Sequence, residues 1–258
     1  MKKSFNKKFS CFASSVCIFL IHLPFVFAKS VPVPKNQPVK TISKDAASAT
    51  PGSENAYPNS EVSIYDSLQL KTLDLSRQAY KEALQGYSRL RAMGKLSNDS
   101  VISIIDFTLP SDKKRLFIID LKNCKVLFNT YVAHGRNSGG EYATRFSNNP
   151  SSNKSSLGFY VTGNTYFGEH GYSLRLEGEE RGINNNAYRR AIVMHCADYM
   201  NEDYINEKGM PGRSFGCPAI PEDNYKSIIE EIKDGSCLFI YSPDHYYVTH
   251  SRFLRHAS

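Results

Sequence analysis

Outside its first eight residues the sequence holds no extended cluster of lysine or arginine, with no run longer than Lys113-Lys114-Arg115, although the 258-residue chain carries a formal net charge of +7. Four of its 32 Lys+Arg are Lys2, Lys3, Lys7 and Lys8, and the first 28 residues contain no acidic side chain. Beyond them 28 basic residues face 25 Asp+Glu, a net +3, which excludes the basic stripe of a nucleic-acid-binding protein. No pair of Cys or His ligands stands at the tight two-residue spacing of compact zinc sites, and no metal or cofactor is expected. No segment recurs at a fixed period. A little under 200 residues, from about Val62 to Ser258, therefore read as one folded unit with a single core.

The N-terminus reads as an export signal. Its lysines precede an uncharged run of 19 residues, Phe9 to Phe27, and Val26-Phe27-Ala28 supplies a small residue before Lys29. Cleavage is expected after Ala28, placing the protein in the periplasm or cell envelope. An uncleaved anchor is the alternative, because 19 residues reach the lower limit of a membrane span; membrane contact is expected only through this segment, and the protein as a monomer. Residues 29–63 contain five prolines (Pro32, Pro34, Pro38, Pro51, Pro58) and few large apolar side chains, the composition of a tether.

From Leu68 to Leu96, Leu75, Ala79, Ala83, Tyr87 and Leu90 fall three or four apart, while Arg77, Lys81, Glu82, Gln85 and Arg89 lie elsewhere on the wheel, predicting one amphipathic helix in an N-terminal segment spanning 64–97. Residues 98–258 then change rhythm. Strands are expected at Val101–Phe107, Leu116–Leu121, Val126–Val132, Leu157–Thr162, Ser173–Glu177, Ala191–His195 and Leu238–Tyr241, with turns such as Gly163-Asn164 between them. Helices are expected at about Asn201–Lys208 and Glu222–Lys233, the latter with Tyr225, Ile228, Ile229 and Ile232 on one face. The fold class is mainly β with peripheral helices, a sandwich or partly closed barrel.

Two features carry chemistry. In Gly212-Arg213-Ser214-Phe215-Gly216-Cys217-Pro218-Ala219-Ile220 a thiol sits between Gly216 and Pro218, on a stiff turn that can fix its direction and leave neighbouring amides unpaired. In Ala191-Ile192-Val193-Met194-His195 an apolar strand ends in an imidazole, the position of a rigidly held general base. Such a base is expected to lower the thiol's pKa and populate the thiolate. A structural Cys with a structural His is the competing interpretation. A zinc hydrolase using His195, Cys196, Cys217 and either His134 or His170 is another.

At these residues the chain resembles the murein L,D-transpeptidase catalytic domain family. Its nucleophile lies in Ser/Thr-x-Gly-Cys, matched by Ser214-Phe215-Gly216-Cys217, with a catalytic His ending an upstream strand, matched by His195. The branch reading Arg-Ser-aromatic-Gly-Cys-Pro-Ala is closest, and the similarity extends over Ser155–Phe159, Gly163 with Thr165-Tyr166, His170–Gly178 and Arg190–His195. The resemblance implies a cysteine acyltransferase on peptidoglycan stem peptides, with Cys217 as nucleophile, His195 as base and Ser214 assisting. It implies oxyanion donors among the amides of Gly216, Cys217 and Phe215, and substrate contacts from Arg213, Arg175, Tyr166 and Tyr172. An L,D-carboxypeptidase or a non-catalytic wall-binding module would keep the same frame.

Two departures stand out. Where the larger branch has a second histidine this chain has Phe215, so a second ring at the site is missing or comes from elsewhere. Cys196 replaces a glycine beside the base, and either joins Cys217 in a disulfide or points away and is buried. Cys124 and Cys237 are a second candidate pair.

Overall fold

The computed structural model describes residues 64–255. The expected signal and tether, 1–28 and 29–63, lie outside them. Among the described residues no helix is long and apolar enough to cross a membrane.

The amphipathic segment forms α1 (Arg77–Ala92). Ser76 sets its start: its Oγ accepts the Ala79 N–H at 3.0 Å, and the Asp106 carboxylate accepts the Ser76 N–H at 3.0 Å. The expected helix over 68–96 is therefore shorter, because Gln69, Asp74 and Gly94 stand at φ 51°, 67° and 67°, outside the α-helical region. Leu75, Ala79, Ala83, Tyr87 and Leu90 are buried, as their spacing requires. Glu82, placed outward by the wheel, is buried too. The helix packs on a broad face that takes in position 82, burial raises the Glu82 carboxyl, and Gln78 Nε2 donates to it at 2.7 Å.

Eight strands follow: β1 (Val101–Asp106), β2 (Leu116–Asp120), β3 (Lys125–Thr130), β4 (Gly158–Gly168), β5 (Gly171–Gly178), β6 (Val193–Cys196), β7 (Ala219–Ile220) and β8 (Cys237–Tyr241). They form one sheet in the order β3-β2-β1-β8-β4-β5-β6-β7. The pairs β1–β8 and β6–β7 run parallel and the others antiparallel. The chain leaving β3 then turns back onto the opposite end of the sheet. Ala133 N–H donates to Ala219 O at 2.8 Å, Ser214 N–H to His134 O at 3.1 Å and Arg136 N–H to Ser214 O at 2.8 Å, which nearly closes a barrel. All seven expected strands are present. β7 is the addition, and its two residues are too short for any periodicity to register.

β4 is the main correction to the sequence-based boundaries. Gly163-Asn164 forms a bulge instead of a turn: the register with β5 slips between Thr162 and Thr165, and the strand continues to Gly168. The β4–β5 hairpin consequently reaches past its neighbours, with Glu169-His170 at its tip. Three short helices complete the fold: α2 (Glu202–Lys208), α3 (Tyr225–Ile232) and α4 (His245–His250). α3 begins later than expected because Asn224 adopts φ 63°. α1 packs on β1 and β8, and α3 on β1, β5 and β6, so β1 is buried at every position. α1 shares one apolar cluster with the strands, centred on Phe159 stacked on Phe239 at 4.1 Å.

Cys124, Cys196, Cys217 and Cys237 are free thiols. Cys124 is exposed in the β2–β3 turn whereas Cys237 is buried on β8, with β1 and β2 in between, so the sheet itself keeps this candidate pair apart.

Candidate active site

Cys217 lies just before β7, on a turn built by Ser214 and Gly216. Ser214 Oγ donates to Cys217 O at 2.6 Å and accepts the Gly216 N–H at 3.0 Å. Gly216 stands at φ 124°, where a Cβ would come within 2.7 Å of Lys154 O, so only glycine allows this approach. Two sequence-based assignments change as a result. Ser214 shapes the turn, and its hydrogen bonds do not go to the imidazole. The Gly216 amide is spent on Ser214, whereas the amides of Phe215 and Cys217 have no hydrogen-bond partner among the described residues.

His195 sits on β6, paired with Ala219 of β7, so the strand pairing that ends the sheet also carries His195 and Cys217 to one edge. The ring is 4 % exposed. Its Nδ1 lies 2.8 Å from Cys196 O. A carbonyl only accepts, so Nδ1 carries the proton and Nε2 presents the lone pair a general base requires. Cys217, His195, His170, Cys196, Arg213, Ser214 and Phe215 line one cleft of about 430 Å³, together with Tyr199, Asp198 and Glu222. In this resting geometry the Cys217 thiol donates to Ala191 O at 3.6 Å.

Electrostatics correct the expectation of a preformed thiolate. Burial raises the Cys217 pKa more than the Val193 N–H and the Arg190 cation lower it. Burial first, and then the neighbouring His170, lower that of His195. Both shifts favour a neutral thiol and a neutral imidazole near neutral pH. Arg190 went unnoticed as a site residue. Its guanidinium bonds Ser147 O (2.8 Å), Ser156 Oγ (2.5 Å), Ser152 Oγ (3.3 Å) and Lys154 O (2.6 Å), fixing the loop against which Gly216 rests. No local pattern reveals this, because the partners lie 34 to 43 residues away.

The four proposed substrate contacts divide. Arg213 reaches the cleft, anchored by Gly140 O, Pro211 O (2.5 Å), Gly212 O (2.9 Å) and Ser111 Oγ (3.1 Å). Arg175 instead lies between the rings of Tyr166 (4.5 Å) and Tyr188 (5.5 Å), and Tyr172 donates to Glu230 on α3; none of Arg175, Tyr166 and Tyr172 lines the cleft. Cys196 borders the cleft as well, and its thiol pairs with the Tyr225 hydroxyl on α3 instead of with Cys217.

His134 is fully buried, not a cleft residue. Nδ1 accepts from Arg115 Nη2 at 2.8 Å and Nε2 donates to Gly139 O at 3.2 Å, which leaves neither nitrogen for a metal. Among the described residues no three His, Cys, Asp or Glu converge as metal ligands. Burial and the Arg115 cation push the His134 pKa down to about 3. Such a group stabilises the fold fully above its unfolded pKa near ~6.5, and this contribution is lost as pH falls toward about 3. Unfolding free energy should thus drop by about 2 kcal/mol between pH 7 and pH 5 through this group. Denaturant titrations of wild type and His134→Gln should differ by that amount in their pH dependence; equal slopes would contradict the assignment.

The chain belongs to the L,D-transpeptidase catalytic domain family, whose model matches residues 71–241. Among solved structures it is similar to an L,D-transpeptidase from Mycobacterium smegmatis (12% identity, 55% of this chain and 59% of that one, TM-score 0.34). It is also similar to L,D-transpeptidase 1 of Mycobacterium tuberculosis (10%, 55% and 62%, 0.33) and to an L,D-transpeptidase from Xylanimonas cellulosilytica (14%, 55% and 60%, 0.31). The match spans about three fifths of each relative's length. No curated protein matches the chain.

Proposed function

We propose that the protein is an exported cysteine L,D-transpeptidase acting on peptidoglycan stem peptides. The observation that carries this reading is the single cleft lined by both Cys217 and His195, whose Nε2 is left as the free lone pair by the Nδ1 bond to Cys196 O.

In the first half-reaction the sulfur attacks the carbonyl of the third stem residue as the thiol proton passes to Nε2. The amides of Phe215 and Cys217 receive the developing oxyanion. The C–N bond to the terminal D-alanine breaks, His195 returns the proton to the departing amine, and a thioester remains on Cys217. In the second half-reaction the side-chain amine of another stem attacks the thioester and gives its proton to His195. The C–S bond breaks, the thiol is restored, and two stems are joined through their third residues. Water in place of the amine makes the same site an L,D-carboxypeptidase. Arg213, which lines the cleft, brings a positive charge suited to the free carboxylates of the stems.

Incubation with isolated murein followed by mass analysis of the released muropeptides tests the proposal. Dimers linked third residue to third residue are expected. Tetrapeptides shortened to tripeptides without dimers would identify the carboxypeptidase, and an unchanged muropeptide profile would leave only wall binding.

A further inference from the structure

His195 has a second close neighbour that the proposed chemistry does not yet use. Bulging at Gly163-Asn164 lengthens β4, the β4–β5 hairpin overreaches the sheet, and the imidazole of His170 at its tip lies face to face with that of His195, centroids 4.3 Å apart and planes 19° from parallel. His170 is solvent-exposed on its other side and lines the same cleft.

The base needs such a contact. Among the described residues the hydrogen bond on its ring runs from Nδ1 to the carbonyl of the adjacent residue, so that anchor moves with the local backbone. Among the described residues no hydrogen bond joins a side chain of the nucleophile turn to the imidazole: Ser214 is spent within the turn, and the Phe215 ring is 65 % exposed under the Arg136 guanidinium at 4.9 Å. An unclamped ring would let Nε2 wander within the cleft, and proton transfer depends steeply on the distance and angle between donor and acceptor.

We propose that His170 is a positioning residue of the acyl-transfer site: its ring, stacked on His195 from the hairpin tip, holds the plane of the base in the cleft that it shares with Cys217. This rests on the reading of Cys217 and His195 as nucleophile and base. Stacking acts through the flat face of the ring, so the nitrogens of His170 are dispensable and a phenyl ring serves equally well.

The test compares wild type, His170→Ala, His170→Phe and Cys217→Ala in acylation by a carbapenem, followed by intact mass and separated into a maximal rate and a half-saturating concentration. His170→Ala should lose about 10-fold in maximal rate with little change in half-saturation, the size of a lost aromatic stack of about 1.4 kcal/mol. His170→Phe should stay within about 3-fold of wild type. Nitrogen-15 spectra of the His195 ring should keep the Nδ1–H tautomer in the Phe variant and show ring disorder in the Ala variant, which reads positioning even where folding is weakened. A His170→Ala rate equal to wild type overturns the proposal, as does a Phe variant as slow as the Ala variant, since the nitrogen would then be what matters. Adduct formation by Cys217→Ala would instead refute the nucleophile assignment on which it rests.

Discussion

Cys217→Ala should abolish cross-link formation, lowering turnover by at least about 10⁴-fold, while the protein unfolds at nearly the same denaturant concentration as wild type. The two halves of this expectation have separate causes. In the proposed mechanism acyl transfer passes through a covalent bond to sulfur, and the neighbouring Ser214 cannot replace it, because its Oγ is held by Cys217 O and the Gly216 N–H. The fold relies little on the same atom, because the thiol is partly open to the cleft and its hydrogen bond to Ala191 O is long, at 3.6 Å. Cys217→Ser should be almost as inactive. A hydroxyl is far harder to deprotonate than a thiol, and the buried His195 is a weaker base than a free imidazole. Muropeptide mass analysis measures both variants, and substantial dimer formation by the alanine variant would sink the cysteine mechanism.

The second large effect is expected for His195→Ala, with acylation by a carbapenem slowed by about 10³-fold. The loss should depend on pH in a defined direction. His195 works only when neutral, and burial and His170 hold its pKa below the ordinary histidine range, so wild-type acylation should persist through mildly acidic pH and decline only below it. Removing the ring removes that acidic limb. The residual rate should then follow the Cys217 thiolate alone and rise with pH beyond the ordinary thiol range, because burial raises the thiol pKa. Rates between pH 5 and 9 for both proteins make the comparison. An unchanged acidic limb in His195→Ala would assign the base elsewhere.

Much of the architecture was legible because strands and helices obey short-range rules. Ile228, Ile229 and Ile232 were found buried where their helical spacing put them, and Val101 to Asp106 is buried throughout as its apolar run suggested. The failures share a cause. Gly163-Asn164 looks like a turn, yet pairing with β5 on one side and the bond from Asp234 N–H to Gly163 O on the other draw it into a bulge. Glu82 looks like a surface residue, but the breadth of the α1 contact buries it. Arg175 and Tyr166, each expected as a substrate contact, are set against each other by the sheet at 4.5 Å.

From the sequence alone came the residue types capable of acyl transfer, the stiff Gly-Cys-Pro turn and the strand ending in His195, since each depends on neighbours a few bonds away. Tertiary structure decided that residues 22 positions apart share a cleft through the β6–β7 pairing, that His170 stacks on the base, and that Arg190 secures the loop beneath Gly216. Those outcomes follow from which strand edges and buried cations find partners across the chain, and local patterning carries no information about such long-range pairings.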